Sequence, residues 1–481
     1  MINWTYLARR IPLAILCYTA GLIALRLALS PFLDIDEAQF VGSVDFSWIY
    51  GNSHPPLYNW LVRLALDLTG WNWVVATVLV RLCLLGLYHW LSFDTARRLG
   101  GDRAGVLALA ASALLPQIVW MSIQTTAHTL LVIVASIGTI HALALIRSGR
   151  GYRAYVWLGL WAAIGGLAKY NFFMFLFSFL IACALNRTIR RQIFCRPALI
   201  SLGIFLLAMG PVALASLNAP LAATAGRMVK LNHLIPMLQP FDLPGFGVDG
   251  LLSLFISTFL WSGPALVIFL IGRWQDDPKP APDGDADVRK VLFRTVVLGL
   301  TAFGLIVFFA DYHSVAERYM APILAPTAIL LALYFPQKHG ARNLLIISGG
   351  FYALAPVAFA IVLLFGDDRL SIPFDAVANA IHVQNSTPAR IAAKRQDDAA
   401  NIAVQLHWPP ASGNADDIVL VWEGGDAPDK ETLELLPADA AAAGPMTRVD
   451  SPLRNFNGQI RTFSFQRYSS HLPLPDQSIG G

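Results

Sequence analysis

The chain has 481 residues, of which 56% are hydrophobic and only 14% are charged, and its mean hydropathy is +0.55. Soluble domains carry about 25% charged residues, so the composition excludes a soluble globular protein and indicates a polytopic helical membrane protein. The formal net charge of +4 does not indicate nucleic-acid binding, and the four cysteines follow no disulfide or zinc-binding spacing.

Apolar runs of about 17–25 residues predict eleven transmembrane helices, the first of them a retained N-terminal anchor. The residues between the first two spans, Pro55–Leu68, include Arg63 and Asp67, which is typical of a helix in the membrane interface. The predicted spans are residues 11–30, 72–92, 104–120, 126–146, 155–168, 171–186, 198–218, 251–272, 293–310, 320–335 and 343–365.

Lysine and arginine residues at the span ends predict the orientation. Nineteen of them lie at the boundaries on the same side as the N terminus, and five lie at the alternating boundaries. Because positively charged loops are retained in the cytoplasm, the N terminus is predicted to be cytoplasmic. The loop 31–70, Lys169, the loop 219–250 and residues 311–319 then share the outer, periplasmic face.

The composition changes after Phe365, which predicts two domains. Residues 1–366 form the transmembrane domain, and residues 367–481 form a small periplasmic α/β domain. Within the latter, the pattern predicts a helix near Phe374–Ile381. Strands are predicted at Ile402–Trp408, Ile418–Glu423 and Ile460–Arg467.

The loop 31–70 contains the densest group of polar residues. Asp34, Asp36 and Glu37 lie within four residues of one another, directly after the first span. Buried carboxylates are costly, so these are expected to face water at the membrane boundary, where their proximity suits a site for protons or cations. An ordinary acidic loop that only sets topology is the alternative, and Asp34 could instead cap the following turn.

This loop resembles the first outer loop of the C-type membrane glycosyltransferase superfamily. Asp36-Glu37 and His54-Pro55-Pro56-Leu57 carry the resemblance, which is closest to the protein-mannosyltransferase-like and aminoarabinose-transferase-like families. Gly166-Leu167-Ala168-Lys169-Tyr170-Asn171 and Glu317-Arg318-Tyr319 with Pro322 resemble two further elements of these families. Several members also have a periplasmic α/β domain after the last span.

The resemblance implies an enzyme that transfers one sugar from a polyprenyl-phosphate donor to an envelope acceptor, such as lipid A, a lipopolysaccharide core or another glycan. It makes Asp36 the general base, with Glu37 and Asp34 orienting the acceptor or a cation. Lys169 and Arg318 would bind the donor phosphate, with Tyr170, Tyr319 and His54 as neighbours. Lys169 could instead snorkel at a helix end, Arg318 could pair with Glu317 or Asp311, and His54 could be a turn residue.

One position departs from the family pattern. Many members have an acidic residue in the outer loop after the third span, where this chain has His128. The departure puts a metal site of two carboxylates in doubt, so the need for a divalent cation stays open. His128 could contact phosphate or lie at a span entry without a role in binding. Lys230 and His233, in the loop 219–250, are further candidates for substrate binding.

The predicted protein is therefore a multi-pass enzyme of the bacterial inner membrane. It contains no Walker loop or dinucleotide fingerprint, which fits a lipid-linked rather than a nucleotide-linked sugar. A protein O-mannosyltransferase-like enzyme is the alternative within the enzyme class. A lipid or sugar transporter or flippase is the alternative from another class, but no inverted repeat is evident. A scaffold subunit whose outer domain binds glycan is a third.

Overall fold

The computed structural model describes residues 2–41, 44–49, 54–218, 248–275, 285–309, 312–335, 339–384, 389–407, 414–437, 440–456 and 459–469. The chain forms two compact units, each assembled from separate segments. Unit 1 comprises Met1–Ile23, Asp45–Leu61 and Leu79–Pro356. Unit 2 comprises Ala24–Val44, Val62–Val78 and Val357–Gly481. The C-terminal domain therefore shares a unit with the acidic segment, and the predicted boundary at residue 366 stays a prediction.

Most of the described residues are helical, which confirms the predicted fold class. In chain order the helices are α1 (Trp4–Leu29), α2 (Ile35–Ala38), α3 (Leu57–Leu68), α4 (Trp73–Ser112), α5 (Ser122–Gln124), α6 (His128–Arg147), α7 (Tyr152–Ala168), α8 (Phe172–Ala184), α9 (Arg187–Ile193), α10 (Ala198–Asn218), α11 (Val248–Gln275), α12 (Ala286–Phe309), α13 (Ala321–Leu324), α14 (Thr327–Tyr334), α15 (His339–Phe365), α16 (Phe374–Gln384), α17 (Gln396–Gln405) and α18 (Lys430–Leu433).

Seven helices in the described part of the chain are long and apolar enough to cross a membrane, and the chain is a multi-pass membrane protein. Helices α8 and α9 form an eighth candidate, bent by 118°. At a rise of about 1.5 Å per residue, the twelve residues of α3 are too short to span the bilayer. The seven are α1, α4, α6, α10, α11, α12 and α15.

All eleven predicted spans coincide with helices, although the exact number of spans stays a prediction. Helix α4 covers the second of them and about the first half of the third, and its helical geometry breaks between the two at Gly100 and Gly101. Gly101 has a φ of 76°, which glycine adopts without a steric penalty. Arg97, Arg98 and Arg103 flank the break, so the basic residues mark the turn that the hydropathy pattern predicts.

Helix α6 lies at the centre of unit 1. Nearly every residue from His128 to Ile146 is buried, as expected for a helix that is apolar on all sides. Gly138 makes the contact with α7 possible, because a Cβ atom there would lie 2.2 Å from the ring of Trp161. Small residues commonly allow membrane helices to approach closely in this way.

The C-terminal domain contains a five-stranded sheet. Its strands are β1 (Ala389–Ala393), β2 (Asn414–Glu423), β3 (Ala441–Ala442), β4 (Thr447–Pro452) and β5 (Ile460–Ser469). Strand β1 is parallel to β2, and β5 is antiparallel to β2, β3 and β4. The predicted helix near Phe374 and the predicted strands at Ile418–Glu423 and Ile460–Arg467 are confirmed.

Successive side chains of β2 point to opposite faces of the sheet, so its apolar residues contribute to a core on each face. Val419 and Val421 join one core with α16, and Leu420 and Trp422 join a core on the opposite face. Phe32, from the acidic segment, is fully buried in the first core with Phe374. The acidic segment is therefore built into the folded core of unit 2.

The predicted strand at Ile402–Trp408 is wrong, because residues up to Gln405 belong to α17. Alternating apolar residues suggested a strand, but Asp397 and Asp398 lie in the first turn of a helix, where acidic residues are favourable. The turn of the helix brings Ala400, Ile402 and Ala403 into buried positions. Trp408 lies outside the described residues.

Candidate active site

The acidic motif forms the short helix α2 of unit 2. Asp34 is its N-cap, and the side chain of Asp34 accepts a hydrogen bond from the backbone N–H of Ile35. The carboxylate of Glu37 accepts one from the backbone N–H of Asp34 at 2.9 Å, which completes a capping box. Such a box satisfies backbone donors that the first turn leaves open. The capping alternative for Asp34 is therefore confirmed.

Arg26 forms a buried ion pair with Glu37 in the same unit. Its Nη2 atom lies 3.1 Å from Oε2 of Glu37, and both side chains are almost fully withdrawn from solvent. The guanidinium also donates to the carbonyl oxygens of Ser30 and Phe32 at 2.8 and 2.6 Å. The charge of Arg26 is thus compensated by groups within the next eleven residues of the chain. The sequence marks Arg26 as an intramembrane charge without identifying Glu37 as its partner.

Contacts with the C-terminal domain hold the residues before α2 in place. The side chain of Asn401 accepts a hydrogen bond from the backbone N–H of Leu33 at 2.7 Å and donates one to its carbonyl oxygen at 3.0 Å. The hydroxyl of Ser30 donates to the carbonyl oxygen of Leu370 at 2.7 Å. All of these groups are buried, so they fix the backbone that leads into α2. No sequence pattern identifies Asn401 in advance.

Asp36 differs from its two acidic neighbours in exposure. It is half-buried, whereas Asp34 and Glu37 are buried. Its backbone carbonyl accepts a hydrogen bond from the side chain of Gln39 at 2.8 Å. The expectation that all three carboxylates face water is therefore wrong for Asp34 and Glu37, whose burial is compensated by backbone N–H groups and by Arg26. The role of Asp36 as the base stays a prediction.

Lys169 and Tyr319 come together in unit 1. Lys169 is buried at the end of α7, and its ammonium group donates to the hydroxyl of Thr129 at 2.9 Å. The same group lies 5.8 Å from the ring centroid of Tyr319. The side chain of Asn171 donates to the backbone carbonyl of Tyr319 at 3.0 Å. Lys169 therefore points into the protein and does not snorkel.

His54 and His128 are also neighbours in unit 1. Their ring centroids lie 4.4 Å apart, and the ring of Tyr58 lies 5.0 Å from that of His128. His128 is the first residue of α6 and directly precedes Thr129, the partner of Lys169. Pro55 and Pro56 are buried and restrict the backbone beside His54. His128 therefore directly precedes the residue that binds the ammonium group of Lys169, and His54 lies against the ring of His128.

Arg318 lies in a single turn of 3-10 helix, Glu317–Tyr319. Its side chain is exposed, and the guanidinium carbon lies 6.0 Å from the ring centroid of Tyr319. Glu317 accepts a hydrogen bond from the side chain of Gln117 at 3.0 Å. Within the described ranges no carboxylate forms an ion pair with Arg318, so pairing with Glu317 is not seen. Asp311 lies outside those ranges.

Unit 1 thus brings together most of the predicted phosphate contacts. Lys169 and Arg318 lie at the ring of Tyr319, and Tyr170 follows Lys169 in the chain and is half-buried. Lys230 and His233 lie outside the described residues. Among the residues that the structure describes, no three His, Cys, Asp or Glu side chains are arranged to hold a metal ion.

Arg81 is a second buried arginine, and it supports this region. It lies in α4 and donates to the backbone carbonyl oxygens of Ser122 and Ile123 at 3.3 and 2.5 Å. These carbonyls lie close to the start of α6. A charged side chain inside a membrane helix is costly unless it is bound, and it often marks a functional region.

Comparison with known proteins gives a consistent result. The family model "Dolichyl-phosphate-mannose-protein mannosyltransferase" matches residues 53–214. Two curated relatives from Rhizobium johnstonii, the lipopolysaccharide core galacturonosyltransferases RgtA and RgtB, are 26% and 27% identical to this chain. Their alignments cover 71% and 66% of this chain, and 67% and 62% of the respective relatives.

A solved structure shows the same fold over nearly the whole chain. The crystal structure of ArnT from Cupriavidus metallidurans bound to undecaprenyl phosphate matches with a TM-score of 0.61 at 13% identity. The match covers 96% of this chain and 98% of ArnT. The chain therefore has the fold of ArnT, and its sequence is similar to that of two lipopolysaccharide core galacturonosyltransferases. The predicted resemblance is therefore confirmed.

The candidate site residues of this chain lie in both units. Unit 2 contains Asp34, Asp36 and Glu37, together with the partners that hold α2. Unit 1 contains His54, His128, Lys169, Tyr170, Arg318 and Tyr319. Sequence reasoning missed Thr129, Tyr58, Gln117 and Asn401. The first two lie next to predicted residues in the chain or in space, but nothing in their sequence context distinguishes them.

Proposed function

We propose that this protein transfers one sugar from a polyprenyl-phosphate donor to a glycan acceptor of the cell envelope. The observation that carries the proposal is the grouping of Lys169, Arg318 and Tyr319 with His54 and His128 in unit 1. Two cations beside tyrosine and histidine side chains suit a phosphate group, because charge-assisted hydrogen bonds are the stronger ones. ArnT, which shares the fold, binds undecaprenyl phosphate, and this supports a lipid-linked donor.

In the proposed reaction, Asp36 removes the proton from an acceptor hydroxyl as that oxygen attacks the anomeric carbon of the sugar. The bond from the anomeric carbon to the phosphate oxygen breaks, and the lipid phosphate departs with the bonding electrons. Lys169 and Arg318 stabilise the negative charge of the leaving phosphate. Glu37 is committed to Arg26, so we assign it to positioning α2 rather than to proton transfer. The proposal requires Asp36 and the two cations to act on the same substrate.

The activity of the relatives suggests the first substrates to test. RgtA and RgtB are lipopolysaccharide core galacturonosyltransferases, so galacturonic acid is the first sugar and lipopolysaccharide core the first acceptor. The distribution of basic residues supports a cytoplasmic N terminus and chemistry on the periplasmic side of a bacterial inner membrane. Lipid A and other envelope glycans are the next acceptors to test.

The test combines envelope analysis with one substitution. Mass spectrometry of lipopolysaccharide from cells with and without the protein should reveal the loss of a single sugar increment. Asp36→Asn should abolish transfer while folding and donor binding are preserved. Asp67→Asn, on the exposed pair with Arg63, is the matched control and should retain activity. Unchanged product from Asp36→Asn would refute Asp36 as the base.

A protein acceptor is the second candidate, and the match to the mannosyltransferase family model favours it. The sugar would then be transferred from the same kind of donor to a serine or threonine hydroxyl of a protein. Glycoproteomics of envelope proteins from the two strains distinguishes the candidates. A sugar lost from a protein, with lipopolysaccharide unchanged, would replace the glycan acceptor in the proposal.

A further inference from the structure

A cleft of about 350 Å³ opens in the C-terminal domain. It lies at the carboxyl ends of the parallel strands β1 and β2, where Ala393 and Glu423 are the last residues. Crevices at the carboxyl ends of parallel strands are common binding sites in α/β domains. Its volume falls at the lower end of the range of about 300–1,000 Å³ that is typical of ligand pockets. The cleft therefore suits a ligand of one or two small rings.

The lining of the cleft combines apolar surface with both kinds of hydrogen-bonding group. Buried Val421, Trp422 and Phe463 supply the apolar part. The polar part contains cations and carboxylates, which donate and accept hydrogen bonds respectively. These polar residues are Lys394, Arg395, Asp398, Glu423, Asp426 and Asp429.

Most of the charges in the cleft are neutralised by partners within the domain. Lys394 pairs with Asp429 at 3.3 Å and also with Glu431, and these hydrogen bonds raise the pKa of Lys394. Asp398 pairs with Arg369, and Glu423 pairs with Arg461. A strongly charged ligand would have to compete with these ion pairs. A neutral ligand could use their remaining donors and acceptors.

From this lining we infer that the cleft binds a neutral sugar unit of a glycan. Each sugar hydroxyl can donate to a carboxylate and accept from an ammonium or guanidinium group at the same time. The C–H face of a pyranose ring is apolar and fits against the apolar part of the lining, to which Val421, Trp422 and Phe463 contribute. The site lies outside the residues proposed for transfer. Its role in holding the acceptor glycan rests on the proposed function, whereas sugar binding itself does not.

The test measures binding by the full chain in lipid nanodiscs, without donor, so that no turnover is involved. Saturation-transfer difference NMR with lactose, maltose and mannobiose as probes should detect at least one of them. Ala427→Trp, which fills the cleft from an exposed lining position, should weaken that binding at least tenfold. Ala441→Trp, exposed on β3 and outside the lining, is the matched control and should bind as the parent protein does.

A second variant covers the case in which Ala427→Trp fails to fold. Asp426→Ala removes one exposed carboxylate of the lining and should also weaken binding, whereas Asp450→Ala on β4 should not. Absence of binding to all three sugars, or equal binding by the folded Ala427→Trp protein, would overturn the inference. Binding of an oligolysine peptide instead of sugar would overturn it too. With transfer established, Ala427→Trp should raise the KM for lipopolysaccharide and leave kcat unchanged.

Discussion

The guanidinium of Arg26 lies 3.1 Å from the carboxylate of Glu37, and both side chains are buried. Removing one partner of such a pair leaves an uncompensated buried charge and typically costs about 3–5 kcal/mol. Arg26→Met should therefore lower the free energy of unfolding by about 3–5 kcal/mol. Unfolding of the full chain in detergent, followed by circular dichroism, measures this loss.

The exposed pair of Arg63 and Asp67 is the control for this prediction. Their separation is similar, at 3.2 Å, but water screens the charges, so Arg63→Met should cost no more than about 1 kcal/mol. The double variant Arg26→Met with Glu37→Leu should recover part of the stability that Arg26→Met loses. Equal stability losses from Arg26→Met and Arg63→Met would show that the buried ion pair contributes no more to stability than the exposed one.

Substitution of Lys169 should weaken donor binding. A charge-assisted hydrogen bond contributes about 1.5–3 kcal/mol, which corresponds to a roughly 10- to 100-fold change in affinity. We expect Lys169→Met to reduce affinity for undecaprenyl phosphate by that factor, measured by microscale thermophoresis. Thr129→Val, which removes only the hydroxyl that holds the ammonium group, should have a smaller effect. Undiminished affinity in Lys169→Met would remove Lys169 from the donor site.

Arg318 should contribute to the same binding step. Its exposed guanidinium has no ion-pair partner among the described residues, so its charge is available to a ligand. Arg318→Ala should weaken donor binding about tenfold. Arg318→Lys should retain part of the affinity, because lysine keeps the positive charge but lacks the planar guanidinium that can donate two parallel hydrogen bonds. Arg150→Ala, exposed on the face predicted to be cytoplasmic, is the control. A similar loss in both alanine variants would indicate a general surface effect.

Asn401 should affect turnover more than donor binding. Its two hydrogen bonds fix the backbone of Leu33, one residue before the cap of α2. In Asn401→Leu the buried backbone groups of Leu33 lose their partners, which costs about 1–3 kcal/mol each. We expect a lower Tm and a lower kcat, with the donor Kd retained. Gln405 lies in the same helix as Asn401, and its side chain makes only an exposed 3.4 Å contact with the carbonyl oxygen of Pro31. Gln405→Ala is therefore the control and should change neither the Tm nor kcat.

Much of the membrane domain could be predicted because long apolar runs and basic boundaries each have a direct physical cause. The break at Gly100 and Gly101 falls between two predicted spans, among the arginines that indicate a turn. The grouping of Lys169 with Tyr319 follows from motifs that resemble a known family. His54 and His128, which the sequence indicates as candidate site residues for separate reasons, are in contact in the structure.

Other features depend on contacts between residues far apart in the chain, which sequence patterns do not specify. Glu37 could not be identified as the partner of Arg26, because the pairing depends on how the chain turns after α1. Asn401 lies in a segment whose alternating apolar residues favour a strand, whereas the structure shows a helix that buries Ile402 in the core beside the sheet. The packing of Phe32 beside Phe374 has no local signal at all.

The burial of Phe32 within the C-terminal domain bears on how this protein could evolve. The C-terminal domain supplies hydrogen-bond or packing partners to Ser30, Phe32 and Leu33. Deletion of this domain would therefore also unfold the segment that carries Asp36. A lineage could not discard or exchange this domain as a modular appendage without losing the acidic helix in the same step. Inheritance of the two parts should be linked, even though more than 300 residues separate them along the chain.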